Sequence, residues 1–299
     1  MTTLKDIRFG IEIETIRAGR ELSAQAIQSV VGGQVRYVGG SYDTWECQAA
    51  DGRTWKCMND SSLTAAPSHL RAEVVSPILN YSDIETLQEI IRALRHAGCR
   101  PHRCAGIHIH IDGSNFNAKS LNNLAKIWYK QENLIIAALG TNPDRLRNYT
   151  RPLNSEFIER IERKRPTNRE EFAEAWYGYR NTHPQHYDST RYSMLNFHSL
   201  IYRGSIEFRG FNSTLHAGLI KSYLQFVLAL GAKAINSRAA CSKKREYNPA
   251  TAKYDFRVFA ILNLGLTGDE FKNTRKHLLA NLSGSAAWKH GRPTANANA

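Results

Sequence analysis

Residues 106–112 alternate apolar and polar side chains without a break, and this pattern restricts the local structure more than any other stretch of the chain. Their sequence is Gly-Ile-His-Ile-His-Ile-Asp, so three isoleucines share one side while His108, His110 and Asp112 share the other. Alternation of β-branched and polar residues predicts a strand that is buried on one face. Side chains two residues apart on a strand lie about 7 Å apart and point the same way. The two imidazoles could therefore reach one ion or two adjacent ions; a solvated face with two incidental histidines is the alternative.

Three further segments carry ionisable side chains on one side of a strand-like pattern. They are residues 7–14, a stretch near residues 70–75, and residues 205–211. The ionisable members are Glu12, Glu14, Glu73, Glu207 and Arg209. A single Glu-x-Glu or Glu-x-Arg pair is typical of a solvated strand edge or a cross-strand ion pair. Because several segments repeat the pattern, we predict that adjacent strands present these groups to one shared cavity.

The remaining patterns predict helices packed against a sheet. Apolar residues at helical spacing predict long helices over residues 118–139 and 215–236. Since strands and helices are mixed without regular β–α–β alternation, we predict an α+β fold with the helices on one face of the sheet. The shorter predicted helices cover residues 20–31, 155–164, 168–179 and about 269–282, and a further helix runs from a Ser82–Glu85 capping box to Gly98. A Thr167–Glu170 capping box is predicted to begin the helix over 168–179. The predicted strands are a hairpin of 44–47 and 54–57 that turns at Asp51-Gly52, and strand structure within 191–211.

The domain organisation follows from composition along the chain. Residues 141–190 are polar and basic, and they lack the apolar content for a core of their own. We therefore predict a single catalytic domain over residues 1–290, in which residues 141–190 form a helical insertion or lid. The low-complexity tail, residues 291–299, is predicted to be disordered.

The shared polar face predicts a metal site. Carboxylates that approach one another are costly unless their ionisation is suppressed or a cation binds between them. One arginine and neutral histidines cannot balance four glutamates, whereas one or two divalent cations can. A ligand set dominated by carboxylate oxygen favours Mg²⁺ or Mn²⁺ over Zn²⁺.

Charge and missing motifs narrow the function classes. The chain has 40 Lys and Arg against 27 Asp and Glu, a net charge of +13, which favours anionic partners or substrates. Five cysteines without a C-x-x-C pair predict free thiols, and the N-terminus lacks a signal core. Polar residues interrupt the apolar run at 219–235, so we predict a buried helix, no membrane association and a cytoplasmic location. The sequence contains no P-loop, dinucleotide fingerprint, H-E-x-x-H or G-x-S-x-G motif.

These segments together resemble the amidoligases of the glutamine synthetase and glutamate–cysteine ligase superfamily. The similarity extends from residue 9 to about residue 215, and the motifs occur in the family's order. They are Phe-Gly-Ile-Glu-Ile-Glu at 9–14, Asp-Ser-Ser-Leu at 60–63, Glu-Val-Val-Ser-Pro at 73–77, Gly-Ile-His-Ile-His-Ile-Asp at 106–112, Tyr-Thr-Arg-Pro-Leu at 149–153, Arg-Tyr-Ser-Met-Leu-Asn at 191–196, and Ile-Glu-Phe-Arg-Gly-Phe-Asn-Ser-Thr-Leu at 206–215. Asp-Ser-Ser departs from the Asp-Gly-Ser that is more frequent in the family.

The resemblance implies an antiparallel sheet that forms an open, funnel-like site for ATP and magnesium. The implied metal ligands are Glu12, Glu14, Glu73, His108 and Glu207. The implied catalytic residues are Arg209, Arg191 and Glu207, of which the two arginines would also contact the nucleotide. The implied substrate-binding positions are Asp60, Ser62, Arg151 and His110. His110 and Asp112 are alternatively groups that orient His108.

The implied reaction is ATP-dependent amide formation with Mg²⁺ or Mn²⁺. A substrate carboxylate attacks the γ-phosphate, and an amine displaces phosphate from the resulting acyl phosphate. The acid and the amine would be small molecules or peptides, with pocket residues expected from 141–190 and 34–63. Two alternatives stay open: a divalent-metal-dependent nuclease or phosphohydrolase, and a non-catalytic nucleic-acid-binding protein supported by charge alone. The oligomeric state is not encoded in any motif.

Overall fold

A computed structural model describes residues 1–292 of the chain. Within this range the strands are β1 (Phe9–Ile16), β2 (Gln34–Gly39), β3 (Thr44–Gln48), β4 (Thr54–Met58), β5 (Arg71–Val75), β6 (Gly106–Asp112), β7 (Leu195–Asn196) and β8 (Ser205–Asn212). They form one sheet in the order β2-β3-β4-β5-β1-β6-β8-β7, and each neighbouring pair is antiparallel. The tail predicted to be disordered covers residues 291–299, of which residues 293–299 lie outside the described range.

The helices complete an α+β fold, which confirms that part of the prediction. In the described residues they are α1 (Arg20–Val31), α2 (Ile84–His96), α3 (Ala118–Leu139), α4 (Pro143–Asn148), α5 (Ser155–Lys164), α6 (Arg169–Tyr177), α7 (His198–Arg203), α8 (Ala217–Asn236), α9 (Ala252–Val258) and α10 (Lys272–Leu278). The predicted bounds of α1 and α3 are confirmed. Each of these two helices ends at a glycine with positive φ, Gly32 at 67° and Gly140 at 58°, a backbone conformation that glycine adopts without steric cost.

The register of the central strands brings the predicted polar residues side by side. β1 lies between β5 and β6, so that Glu14 is opposite Glu73 and Glu12 is opposite His108. On the other side of β6, His110 is opposite Glu207 of β8. Because side chains alternate across each strand, all of these groups project from the same face of the sheet.

A β-bulge in β8 interrupts this register. Ile109 pairs with Phe208 and Ile107 pairs with Phe211. Between these two pairs β8 therefore contains one residue more than β6. Both phenylalanines are therefore buried on the core side. Simple alternation would have placed Phe211 on the face that carries Arg209. Bulges redirect side chains at functional sites, and here the bulge begins directly after Phe208.

The opposite face of the sheet carries the hydrophobic core. Ile107, Ile109 and Ile111 are fully buried there. Helix α8 contacts β6, α2, α3 and α10. Its length and apolar composition would also suit a membrane span, but 72% of its apolar window is buried inside the fold, so it serves here as a core helix.

The two predicted capping boxes use the wrong residues, by two positions before α2 and by one position before α6. The capping box before α2 is formed by Asn80 and Asp83 around a short 3₁₀ turn, and not by Ser82 and Glu85. Before α6, the backbone N–H and hydroxyl of Thr167 donate to Glu171 at 2.7 and 3.0 Å, and not to Glu170. In both cases the neighbouring polar residue offers equivalent chemistry, so the spacing alone did not select the partner.

The C-terminal third differs more from the prediction. Residues 191–211 do not form continuous strand structure, because α7 separates the two-residue β7 from β8. The last helix, α10, is shorter than the predicted 269–282, and α9 was not predicted. The prediction that residues 1–290 form one domain with 141–190 as an insertion or lid stays a prediction.

Candidate active site

His108 lies at the centre of the polar face of the sheet. Its Nδ1 is 2.8 Å from Oε2 of Glu12, and its Nε2 is 3.4 Å from Oε1 of Glu14. Oε1 of Glu207 approaches Nδ1 from β8 at 3.6 Å. Both His108 and Glu207 are about 95% buried, with exposures of 4% and 5%. The structure thus brings four of the five predicted metal ligands into direct proximity.

Glu73 completes this group from β5. Burial, followed by the charges of Glu12, Glu14 and Asp60, raises the pKa of Glu73 well above its ordinary value. Burial also raises the pKa of Glu14, although His108 and Arg145 oppose the shift. Two carboxyl groups on this side of the site therefore have raised pKa values, because burial outweighs the positive charge around them.

On the β8 side, Arg209 and Asn196 hold Glu207 ionised. Nη1 of Arg209 donates to Oε1 of Glu207 at 2.5 Å, and Nδ2 of Asn196 donates to Oε2 at 2.6 Å. Burial favours the neutral acid, but the charge of Arg209, followed by His110 and His108, lowers the pKa of Glu207 to about 2. The arginine itself is 7% exposed, so this is an internal ion pair.

His110 occupies the next position along the same face. Its Nδ1 is 3.0 Å from Oγ of Ser205, and its Nε2 faces Glu12 Oε1 at 3.3 Å and Glu207 Oε1 at 3.8 Å. Although burial of Glu12 would raise its pKa, the neighbouring His110 and His108 lower that pKa well below the ordinary value. The two carboxylate oxygens of Glu12 thus face different imidazoles.

The donor chemistry of this face fits divalent cations. Three groups of side chains place one donor atom each within 4.8 Å of one another: Glu12, Glu73 and His108; Glu12, His110 and Glu207; and Glu14, Asp60 and Glu73. Carboxylate oxygens predominate in all three, as Mg²⁺ and Mn²⁺ prefer. A bound cation would also offset the burial and the neighbouring negative charges that raise the pKa values of Glu73 and Glu14.

A cavity of about 510 Å³ opens above these residues. Its walls come mainly from the two parts of the chain that were expected to supply pocket residues, 34–63 and 141–190, and also from residues 191–203, which were not. The lining residues outside the sheet centre include Tyr42, Asn59, Asp60, Ser61, Ser62, Arg145, Tyr149, His186, Tyr187, Arg191, Tyr192 and Arg203. Asp60 and Ser62 are joined by two hydrogen bonds of 2.8 Å, from the backbone N–H and the hydroxyl of the serine. Both residues thus line the cavity in a fixed mutual orientation.

The predicted arginines differ in position. Arg191 lines the cavity, where its guanidinium lies 5.6 Å from the ring centre of Tyr187 and 5.8 Å from that of Tyr192. Arg151 is not among the residues that line this cavity; it donates to the carbonyl of Ser189 at 3.0 Å. The contact of Arg151 supports the segment that carries Arg191.

Asp112 also lies away from His108. Its Oδ2 forms an ion pair with Arg8 at 2.5 Å, and its Oδ1 accepts from the backbone N–H of Ser114 at 2.9 Å. These contacts close the end of β6 and start the following turn. The structure therefore gives Asp112 partners other than the imidazole that it was expected to orient.

Arg145 is a site residue that the sequence analysis missed. It is 2% exposed and donates to the carbonyls of Phe211 and Arg209 beneath the cavity. A Cβ on Gly106 would overlap the guanidinium of Arg145, so glycine at the start of β6 leaves room for this side chain. That glycine was the only local signal, because Arg145 itself lies in a segment with many arginines.

A second cavity of about 330 Å³ adjoins the first. Glu12, Val75 and Arg203 line both, whereas His108 faces the first cavity and His110 the second. The second cavity is more apolar, with Phe9, Pro77 and Ile78 among its lining residues. The polar face of the sheet thus contributes side chains to two neighbouring cavities.

Comparison with known proteins agrees with this arrangement. A family model described as "Putative amidoligase enzyme" matches residues 5–231, which contain every residue of the site described above. The chain belongs to this amidoligase family. Membership supports an enzyme of the ligase class with small-molecule substrates, and it does not favour the nuclease alternative. A search of curated proteins finds no match to the chain.

Proposed function

We propose that this amidoligase is an ATP-dependent carboxylate–amine ligase that forms an amide bond through an acyl phosphate. The observation that carries the proposal is the group of carboxylates around His108 on the floor of the cavity, Glu12, Glu14 and Glu73, with Arg209 among them. Family membership supplies the reaction class. ATP, the divalent ion and the acyl phosphate are parts of the proposal.

In this proposal Glu12, Glu14, Glu73, His108 and Glu207 hold Mg²⁺ or Mn²⁺. The support is the raised pKa of Glu73, caused by burial and then by Glu12, Glu14 and Asp60, and the raised pKa of Glu14, caused by burial and by Asp60. When bound, the ion would neutralise part of the negative charge on the phosphates of ATP. Glu207 is fixed for this role by Arg209 and Asn196, which hold both of its oxygens.

Arg209 and Arg191 would bind the phosphates of the nucleotide. Arg209 is held on the cavity floor, where preorganised positive charge stabilises a transferring phosphoryl group. Arg191 lies on the wall, and its aromatic neighbours limit the conformations of its side chain. The acid substrate would attack the γ-phosphate, ADP would leave, and the amine would then displace phosphate from the acyl group.

The walls favour an anionic acid substrate. Arg145, Arg191 and Arg203 line the cavity, and within residues 1–292 none of them forms an ion pair with a carboxylate. Arg203 instead donates to Nε2 of His186 at 2.7 Å. Because Arg145 and Arg203 lack acidic partners and Arg191 is assigned to the nucleotide, we propose that the acid substrate carries a second negative group, as in a dicarboxylate or an acidic peptide. Asp60 and Ser62 would contact the substrates from the opposite wall.

The finer architecture is also proposed. We propose that the sheet is the glutamine synthetase-like catalytic sheet and that residues 141–190 cover its funnel-like site. The hydroxyls of Tyr42 and Tyr187 meet at 2.9 Å, which links the β2–β3 loop to this covering segment. A cytoplasmic location is proposed because ATP and reduced thiols are found there.

The test is a turnover screen with purified protein, ATP, Mg²⁺ and a matrix of acids and amines. The proposal predicts ADP release that requires both an acid and an amine, with an amide product of the summed mass less water. Release of ADP with the acid alone and hydroxylamine, accompanied by a hydroxamate, would identify the acyl phosphate. Cleavage of DNA or RNA with metal and without ATP would contradict the proposal and support the nuclease.

A further inference from the structure

The side chain of His110 contains a buried polar atom without a hydrogen-bond partner. Its Nε2 is inaccessible to solvent and makes no hydrogen bond within the described residues. Its nearest oxygens are Glu12 Oε1 at 3.3 Å and Glu207 Oε1 at 3.8 Å, which are ion-pair contacts longer than an ordinary hydrogen bond. Buried polar atoms of this kind are rare and call for a partner that the protein itself does not provide.

The other nitrogen of the ring is fixed by Ser205. Nδ1 lies 3.0 Å from Oγ of Ser205, whose oxygen is also 3.2 Å from Oγ of Ser199. With the proton on Nδ1, the ring donates to Ser205, and Nε2 directs a free lone pair toward the two carboxylates. A hydrogen bond on the far nitrogen is the arrangement that orients histidines which bind metals.

The distances around Nε2 suit donors that share an ion. Two donors that each lie about 2.1 Å from Mg²⁺ or Mn²⁺ are about 3.0 Å apart at a right angle and about 3.6 Å apart at 120°. The distances from Nε2 to the two carboxylate oxygens, 3.3 and 3.8 Å, are close to this interval. Both exceed the distance of about 2.9 Å that is typical of an N–H···O hydrogen bond.

We infer that His110 is a metal ligand through Nε2 and forms, with Glu12 and Glu207, a cation position distinct from the one at Glu12, Glu73 and His108. Within residues 1–292, Glu207 belongs to a three-donor group only when His110 is included. Glu12 would bridge the two positions, because Oε2 faces His108 and Oε1 faces His110. This assignment replaces substrate binding as the role of His110.

The ligand set also predicts selectivity. One imidazole nitrogen with two carboxylates favours Mn²⁺ over Mg²⁺ more than an all-carboxylate site does. The inference gives a ligand to the metal centre of the proposed ligase, but binding of the ion is measured without nucleotide, acid or amine. Failure of the ligase proposal would therefore leave the inference standing, and the reverse also holds.

The test counts Mn²⁺ ions bound to the full chain after treatment with a chelator. Electron paramagnetic resonance of free Mn²⁺ gives stoichiometry and affinity, and pulsed measurements detect imidazole nitrogen coupled to the bound ion. We expect His110→Asn to bind one Mn²⁺ fewer than the wild type, with a weaker nitrogen signal. His69→Asn, which changes an exposed histidine outside both cavities, is the matched control and should bind as the wild type does.

A second pair of variants separates ligation from folding. Ser205→Ala removes the group that orients the ring but leaves the ligand, so we expect Mn²⁺ at this position to bind about tenfold more weakly. Ser205→Thr keeps the hydroxyl and should bind Mn²⁺ with the affinity of the wild type. Unchanged Mn²⁺ number and affinity in both His110→Asn and Ser205→Ala would overturn the inference and reduce His110 to an ion-pair partner of Glu12. Absence of Mn²⁺ binding in the wild type would overturn it as well.

Discussion

The two faces of strand β6 are both largely buried, yet burial has opposite consequences on them. On one face Ile107, Ile109 and Ile111 pack into the core, where removal of apolar surface from water stabilises the fold. On the other face His108 and His110 lie among carboxylates whose burial costs free energy. The comparison teaches that burial stabilises the fold on one face and costs free energy on the other, so matched substitutions on the two faces should separate stability from the proposed activity.

The largest effect is expected from Glu207→Gln on the polar face. The amide keeps the shape of the side chain and an acceptor for Arg209 but removes the negative charge. We expect ATP turnover to fall by at least about 10³-fold, at the upper end of the loss on removal of one preorganised charge. Circular dichroism and thermal unfolding should show an intact fold. Glu89→Ala, on the exposed side of α2, is the control. Turnover near the wild-type level would contradict the assignment of Glu207 to the active site.

Arg209→Met should have the next largest effect. Methionine retains much of the packing volume of the arginine but lacks its positive charge, which we propose stabilises the phosphoryl group during transfer. We expect turnover to fall by about 10²-fold, with the number of bound Mn²⁺ ions unchanged. Kinetics equal to those of the wild type would contradict the assignment, and loss of metal binding would show that Arg209 acts mainly by holding Glu207.

A change on the core face should reverse this pattern. Ile109→Val removes one buried methylene group opposite the imidazoles, and we expect a loss of about 1 kcal/mol in the free energy of unfolding. Turnover at temperatures where the variant is folded should stay at the wild-type value. Urea unfolding measures the first quantity, and steady-state ADP release measures the second. If turnover drops as strongly as in Arg209→Met, the two faces are not functionally separate.

The smallest effect concerns the pH dependence of the metal-free protein. Burial and three acidic neighbours raise the pKa of Glu73, so the folded state holds its proton at pH values where the unfolded state has lost it. The stability of the folded state therefore falls as pH rises above the ordinary glutamate pKa and continues to fall until the raised pKa is reached. We expect Glu73→Gln to flatten this dependence in the presence of a chelator. An identical slope in both proteins would show that Glu73 does not cause it.

Sequence reasoning succeeded where the information is local. Alternation in residues 7–14 and 106–112 identified β1 and β6, together with the side on which Glu12, Glu14 and His108 lie. The pairing of these strands then follows from burial of one face, because a shift of one residue would expose every isoleucine. The polar floor of the site was therefore predictable from the sequence.

The walls of the site and the break in β8 were not predictable in the same way. The bulge after Phe208 depends on how β8 meets β6, and no alternation pattern records that fit. Arg145 and Arg203 reach the cavity through tertiary contacts, whereas Arg151, which has equivalent chemistry in the sequence, does not line it. A segment with many arginines cannot reveal which of them face inward, since each contributes the same local signal.

The most direct test of the central claim is a magnesium titration of the metal-free protein, followed by thermal unfolding. If the polar face is built around divalent cations, the midpoint of unfolding should rise with Mg²⁺. At one hundred times the dissociation constant the added stability should be about 2.7 kcal/mol. The rise should be much smaller in Glu12→Gln, because Glu12 belongs to two of the three candidate cation groups. An unfolding midpoint that does not change with millimolar Mg²⁺ or Mn²⁺ would contradict the account.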